Sequence, residues 1–455
     1  MKAVLIGAGE ESLHTIEAAR RLGVSVTALD GNPEAPGLKA ADEGLAVDIS
    51  REDEVLDALR GKDGAGPDFV LTGPLGRYLT TAGAVNDAFH LRGISRQSAV
   101  WCTDKYLFHE KLREAGLRGC RCELVPAFRG KAETERRGIV DNLLETAREF
   151  SFPAILKPRY GSGSRGIFFL DSVRELETAL RELAGEPGRP VGASGGPEGE
   201  PGRPVGKNGG TGNTAIAAGK SGVRESAASE EDYVLEEAVS GTEYGVDAAL
   251  DGRIYRQILL RRKLLTPPPA RQAVGYFSVT GRTEEEAALI RRVQEQLSRA
   301  AETLRLQDCL FHADLMIEGE RVFIIELSAR PSGHHLHDRF TPMATGVDMA
   351  ETYIRSQCGL PYSYEPRETR GLLIRYFALP EGVVRHVPEK DELNLPEDVI
   401  LRAWDCGIRP GDRLERVING HSVMGRGYFI LEGDADEKLE AAADGILGRF
   451  AVERG

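Results

Sequence analysis

The chain has 455 residues, a hydrophobic content of 41% and a formal net charge of -13. That length has room for roughly three domains with real cores, and the acidic balance argues against a nucleic-acid partner, whose binding proteins carry a basic footprint. No run of about 18 apolar residues offers a membrane span, and AVLIGAG after Lys2 is too brief for a secretory signal. Six cysteines without a C-x-x-C pair make neither a zinc site nor a disulfide framework, so free thiols and a cytoplasmic location are expected.

From the N-terminus, MKAVLIGAGEESLHTIEAARRLGVSVTALDGN reads as a buried strand, a glycine turn, a helix stopped by Gly23 and a second strand ending at Asp30. This is a βαβ unit. PDFVLTGPLGRYLTTAGAVNDAFHLRG continues the alternation, so residues 1–95 form a Rossmann-like domain. Gly7-x-Gly9 with Asp30 downstream invites a dinucleotide reading, but Ser12 stands where the third glycine belongs and a tight turn needs glycines anyway. Gly73 to Arg77, at the carboxyl end of a strand, is a candidate substrate edge.

TDKYLFHEKLREAG is a helix with Thr103 as N-cap and Gly116 as stop, carrying Lys105 in its first turn. A cation there is unfavourable unless an anion sits nearby. FPAILKPRYGSGSRGIFFLD follows as a strand with Lys157, a loop with Gly161, Ser162, Gly163, Ser164 and Gly166, and a return strand. Glycines let backbone amides approach oxyanions and hydroxyls add donors, so the loop suits a polyphosphate, although it is no Walker A sequence.

Residues 185–229 repeat EPGRPVG and are dominated by Gly, Pro and Ser, the composition of a floppy insertion. DYVLEEAVSGTEYGVDAALDG then sets Glu236 and Glu243 on either side of a turn at Ser240-Gly241. A strand that ends in exposed backbone suits an adenine edge, and a carboxylate a few residues on suits a ribose hydroxyl. RRKLLTPPPARQAVGYFSVTG, residues 261–281, is read as a basic, proline-rich loop whose Arg261, Arg262, Lys263 and Arg271 could meet a carboxylate but are expected to be for the most part solvated charge.

FHADLMIEGERVFIIELSAR is two alternating runs around a turn, a hairpin. With residues 319–321 as a three-residue loop, Asp314 lies opposite Glu326 and Met316 opposite Ile324. Glu326, Ser328 and Arg330 then share one face, while Phe323, Ile325, Leu327 and Ala329 share the other. Such a loop wants glycine last, whereas Gly319 comes first, which leaves the register open to slip. Like charges across a ladder destabilise it, and a hard divalent cation would compensate for them. Three histidines follow, His334, His335 and His337, which invite a transition-metal reading. The last ninety residues read as strand, turn and a terminal helix capped by Asp434 or Asp436.

In this order the segments resemble the ATP-grasp superfamily, specifically its carboxylate-amine and amino-acid ligases. The resemblance implies an α/β and α+β ATP-grasp fold: a Rossmann-like domain (1–95), an ATP-grasp domain (96–362, its lid at about 140–235 with the 185–229 insertion) and a small α+β, β-rich C-terminal domain (363–455). Lys105 and Lys157 would hold ATP phosphates under the loop of Gly161, Ser162, Gly163, Ser164 and Gly166. Glu236 would lie at the adenine amino group, backbone of Glu237 and Val239 would read the ring edge, Glu243 would bind the ribose and Met316 would pack beneath the base. Asp314 and Glu326 would bind Mg²⁺ (or Mn²⁺), and Arg330 would contact the transferred phosphoryl group. Family members usually carry Asn where Ser328 stands as a further metal ligand. Against the transition-metal reading of His334, His335 and His337, the resemblance implies that the segment after the arginine is a substrate loop in which at most one of them touches substrate.

The activity implied is ATP-dependent activation of a carboxylate as an acyl phosphate and its coupling to an amine. The partners implied are small-molecule carboxylate and amine substrates, with neither nucleic acid nor membrane, and with a homodimer as the assembly to consider. Alternatives are an ATP-grasp enzyme of nucleotide or carbamoyl/bicarbonate metabolism, an NAD(P)-dependent oxidoreductase, and a non-catalytic nucleotide-binding protein, for which Ser328 is the hint.

Overall fold

The computed structural model describes residues 1–60, 66–74, 76, 78–161, 166–186, 228–267, 272–417 and 421–454. Strands β1 (Lys2–Ile6), β2 (Ser25–Asp30), β3 (Glu43–Ala46) and β4 (Phe69–Thr72) form a parallel sheet in the order β3-β2-β1-β4. Successive residues of β1 serve two cores: Val4 and Ile6 pack with Leu79 and Val85, whereas Ala3 and Leu5 pack with Ile16, Met349 and Ile354. Burial on both faces explains why these strands read as continuous apolar runs. Gly7 has φ +85, and the Asp30 carboxylate accepts from the amides of Ala8 (2.8 Å) and Asn32 (2.8 Å). The Ser12 hydroxyl donates to the Gly7 carbonyl. Backbone amides thus donate to Asp30 where a dinucleotide reading would place a ribose hydroxyl.

A second sheet, antiparallel in the order β5-β8-β6-β7, comprises β5 (Cys122–Val125), β6 (Ala154–Pro158), β7 (Phe168–Leu170) and β8 (Tyr233–Glu237). Leu156, Leu170 and Leu235 pack there against Val140 and Leu143 of one helix and Leu176 and Leu180 of another. The N-cap of the helix Lys105–Glu114 is Asp104, which accepts from Tyr106 and Leu107 amides. Thr103, expected to cap, instead donates back to the Ala99 carbonyl as the last residue of the preceding helix.

The third sheet has eight strands in the order β13-β12-β9-β10-β11-β14-β18-β16. They are β9 (Thr242–Asp251), β10 (Ile254–Leu265), β11 (Ala273–Ser278), β12 (Cys309–Glu318), β13 (Arg321–Ser328), β14 (Leu372–Tyr376), β16 (Ile400–Cys406) and β18 (Gly427–Glu432), while β15 (Gly382–His386), β17 (Arg413–Leu414) and β19 (Ala451–Glu453) make a small sheet beside them. One face of β9, β12 and β13 buries Val246, Phe311, Ala313 and Leu327 against Val293, Leu297 and Ala300 of the helix Glu284–Thr303. The opposite face carries the polar residues described below.

Several expectations are corrected here. Residues 261–281 are no loop: apart from the undescribed 268–271 they are largely β10 and β11. The hairpin closes through Gly319 and Glu320 alone, because Glu318 pairs with Arg321, and a bulge between Asp314 and Leu315 restores Asp314↔Glu326. Met316 therefore faces Phe323 instead of Ile324. Since one extra residue reverses the alternation, Ile324 joins Leu327 and Ala329 in the core, and Phe323 and Ile325 do not. The terminal helix Asp436–Leu447 has Ala435 as N-cap with no side-chain bond; Asp436 pairs with Arg262 (2.7 Å) and Asp434 with Arg282 (2.6 Å). Among the described residues no helix is long and apolar enough to cross a membrane.

Candidate active site

Antiparallel registry assembles the centre of the site. Asp314 faces Glu326 on one side and Gly245 on the other, and Gly245 faces Arg261 on β10. One row along, Met316 faces Glu243, and in the other direction His312 faces both Ser328 and Asp247. Strand partners point to the same side, so these groups share one surface. Lys263 reaches into it from β10, with Nζ 2.9 Å from Asp314 Oδ1 and 3.8 Å from a Glu243 oxygen. Burial by itself would raise the pKa of Asp314, but Lys263 and His312 outweigh it and hold the carboxyl at about 2. Burial likewise opposes the charge on Lys263, and Asp314, Tyr276 and Glu243 override it.

Beneath this row lies a closed ion pair. Arg261 and Asp247, both inaccessible to solvent, are joined by two hydrogen bonds, and Thr341 donates to the same carboxylate (2.6 Å). Arg261 and Lys263 are therefore structural and site cations, not solvated surface charge; Arg262 pairs with Asp436 at the surface. The acidic partners stand 14 and 51 positions away from these two cations, beyond any local pattern. Only the alternate placing of Arg261 and Lys263 marks one face of a strand.

A second cluster forms where β8 meets β6. Glu236, 4% exposed, accepts from Lys157 Nζ (2.6 Å) and Arg118 Nη2 (3.0 Å). His109 Nε2 lies 2.7 Å from Glu236 but outside hydrogen-bonding geometry. Burial drives the His109 imidazole down to about 4, against the pull of Glu236, so it is neutral at physiological pH. Burial also opposes ionisation of Glu236, yet Lys157 and Arg118 hold its carboxyl well below the ordinary range. The Glu236 side chain is thus engaged in orienting Lys157. Arg118 gives no local sequence signal; it also donates to the Ile324 carbonyl, tying this cluster to the hairpin (3.2 Å).

The root of the glycine loop is fixed to the Lys105 helix. Arg159 makes a bidentate pair with Asp104 and a further bond to Asp232, while Tyr160 donates to Asp104. Lys105 Nζ donates to the Gly161 carbonyl (2.8 Å). Burial lowers the pKa of Lys105, opposed by Glu326. Gly161 (φ +126) and Gly166 (φ +67) use conformations that side chains disfavour; Ser162, Gly163 and Ser164 lie outside the described residues, as do Leu75, Arg77 and Arg271.

Glu237 accepts from the amides of Arg121 and Ser151, and Val239 lies just past the end of β8. The linker to β9 is pinned at Gly241 (φ +138), where a Cβ would come within 2.3 Å of the Ile317 carbonyl. At the far end of the row Arg330 Nη1 donates to the Pro331 carbonyl, and burial depresses its pKa against the attraction of Glu326 and Asp314. Lys263, Arg330, the facing carboxylates Asp314 and Glu326 and the Ser328 hydroxyl thus share one region, with Lys105 near both Glu326 and Lys157. The facing carboxylates and Ser328 are hard oxygen donors that fit Mg²⁺.

Residues 213–337 match the ATP-grasp domain family. A formate-dependent phosphoribosylglycinamide formyltransferase of a Nitratiruptor species is 25% identical over 200 residues, covering 41% of this chain and 44% of the relative. Uncharacterized protein y4rH of Sinorhizobium fredii is 30% identical over 175 residues, covering 37% and 34%. The matches span less than half the length of these curated relatives. Among solved structures, L-amino acid ligase from Bacillus licheniformis superposes with a TM-score of 0.70 at 15% identity, covering 100% of this chain and 98% of that one. Phosphoribosylglycinamide synthetase from Anaerococcus prevotii gives 0.67 at 18%, covering 100% and 99%. At these identities the likeness establishes the fold.

Proposed function

We propose that this chain, an ATP-grasp protein by its fold and its matching domain, is an ADP-forming ligase that activates a carboxylate as an acyl phosphate and joins it to an amine. The observation that carries the reading is the Asp314–Glu326 pair on a sheet face flanked by Lys105, Lys157 and Arg330. A carboxylate attacks an anionic phosphate only where the phosphoryl charge is neutralised. Asp314 and Glu326, with Ser328, would hold Mg²⁺, which supplies part of that neutralisation when bound.

Lys157, oriented by Glu236, and Lys105, at the root of the glycine loop, would bind the phosphates, while Arg330 would meet the transferred group. A substrate carboxylate oxygen bonds to the γ-phosphorus as the bond to the β–γ bridging oxygen breaks, and ADP leaves. An amine then attacks the acyl carbon, phosphate departs and an amide remains. Water would destroy the acyl phosphate, so the glycine loop from Gly161 to Gly166, of which 162–165 lie outside the described residues, is given the role of covering it. Met316 and Phe323, paired on the same face, would floor the base, with backbone from Glu237 and Val239 at its edge and Glu243 at the ribose. Free thiols at all six cysteines agree with a cytoplasmic setting.

Two substrate classes follow from the relatives' names: small carboxylates with a phosphoribosyl amine, and amino acids. A phosphate-release screen of paired carboxylate and amine libraries distinguishes them. With the productive pair in hand, Glu326→Gln should abolish substrate-dependent ADP release while leaving the folded spectrum unchanged. Near-normal turnover would refute the assignment.

A further inference from the structure

We infer that Glu11, His337 and Asp338 form a site for one divalent first-row transition-metal ion, separate from the magnesium-nucleotide surface. Glu11 belongs to the short helical turn Glu10–Ser12 that follows β1, and His337 and Asp338 belong to the segment after β13. One potential ligand atom from each lies within 4.8 Å of the other two. His337 and Asp338 are 1% and 5% exposed. The backbone is bent to bring them there: His334 and His335 both adopt left-handed conformations (φ +65 and +56), and their amides donate to the two Glu11 oxygens at 3.1 and 3.4 Å. Non-glycine residues held in that region mark a segment whose surroundings over-determine it.

The chemistry of the three groups selects the ligand. His337 Nδ1 contacts the Ser332 carbonyl, which can only accept, so the ring proton sits on Nδ1 and Nε2 presents its lone pair. A backbone carbonyl orienting the far nitrogen in this way is the usual support of a metal-binding imidazole. Asp338 Oδ2 lies 3.2 Å from His335 Nδ1, whereas Oδ1 has no hydrogen-bond partner among the described residues although it is buried. A buried carboxylate oxygen without a donor is costly, and Oδ1 is left so although Arg339 Nε lies 3.8 Å from the other oxygen, Oδ2. Magnesium and calcium take oxygen ligands; an imidazole with two carboxylates suits zinc, iron or cobalt, at bond lengths of about 2.0–2.2 Å. Three protein ligands leave a coordination position for water. The ion would staple the first turn of the parallel sheet to the segment that continues from Arg330, a segment also held by the Tyr376 hydroxyl at the His334 carbonyl (2.7 Å).

The test uses chelator-stripped full-length protein, without nucleotide, titrated with Zn²⁺ by calorimetry and with Co²⁺ by absorption. One ion per chain is expected, with a weak d–d spectrum of nitrogen and oxygen ligands and no thiolate charge-transfer band. His337→Gln and Asp338→Asn should each weaken Zn²⁺ binding at least about 100-fold, beyond what loss of a supporting group costs, and should remove the rise in thermal midpoint that Zn²⁺ gives the parent. Circular dichroism of the metal-free variants establishes that each is folded, and either variant alone decides. Glu326→Gln should bind Zn²⁺ like the parent, so loss of ligase turnover leaves this result untouched. No stoichiometric binding by the parent, equal binding by both folded variants, or a cobalt–thiolate band would overturn the site.

Discussion

Replacing Lys263 by Met keeps the alkyl stem and removes the one charge that sits on Asp314 at 2.9 Å. Losing one partner of a fully buried pair costs about 3–5 kcal/mol, and an exposed pair is worth about 0–1 kcal/mol. The Asp314 side chain is 29% exposed and that of Lys263 11%, so an intermediate cost of about 2 kcal/mol is expected at neutral pH. At about 2–4 °C per kcal/mol for a domain of this size, the thermal midpoint falls by about 4–8 °C. The sign of the pH dependence follows from Asp314. In the parent its depressed pKa stabilises the fold fully above the ordinary carboxylate value, and that contribution is lost as pH falls from about 4 towards about 2. In the variant the lysine no longer opposes burial, so the Asp314 pKa rises above its value in the parent and the folded state takes up a proton earlier as the solution is acidified. The variant's deficit should therefore shrink as pH falls towards the ordinary carboxylate value, where the parent shows no such gain. Millimolar Mg²⁺ without nucleotide should raise the variant's midpoint more than the parent's, because the ion supplies the missing positive charge. Scanning calorimetry across pH, with and without Mg²⁺, reads all three effects. A deficit below about 0.5 kcal/mol, indifferent to both, would return Lys263 to the solvated surface.

Glu236→Gln leaves Lys157 and Arg118 buried without their carboxylate and should cost about 3–5 kcal/mol in urea unfolding, with weakened ATP binding by calorimetry; retained stability would mean that the cluster is dispensable. Gly241→Ala forces a Cβ to within 2.3 Å of the Ile317 carbonyl at φ +138 and should destabilise by more than about 1 kcal/mol, seen as a lower thermal midpoint. Ser328→Asn lengthens the oxygen donor beside the carboxylate pair, so half-maximal turnover should need less Mg²⁺; an unchanged requirement would remove Ser328 from the ion's reach.

The elements legible in the sequence were those with short-range signatures. The Rossmann βαβ unit showed itself by apolar runs and Gly23, and the hairpin by alternation around Gly319. The facing of Asp314 and Glu326 was legible as well, but for an incomplete reason: the loop is one residue shorter than expected and a bulge makes up the difference. A bulge shifts the sheet by one residue without changing composition, so Phe323 and Ile324 exchanged faces unannounced. The Thr103 cap failed for a related reason, since two adjacent residues both suit the position and the choice falls to Asp104, which Arg159 and Tyr160 engage from 55 and 56 positions away.

Long-range charge pairing was the least visible layer, and it alters the physics of the site. Two carboxylates across a ladder would call for a divalent cation if nothing else neutralised them, yet Lys263 already meets Asp314 from β10. Electrostatic relief therefore does not by itself require a metal. What favours magnesium in the proposed reading is the kind of atom presented: hard oxygens from Asp314, Glu326 and Ser328, near the lysines to which that reading gives the phosphates. It also follows that nucleotide binding would pit Mg²⁺ against Lys263 for the same carboxylate, so the lysine must turn toward Glu243 or the incoming phosphates as the ion arrives. On the proposed reading, charge at Lys263 would tune the affinity for magnesium downward, and removing it should tighten the ion even as it weakens the fold.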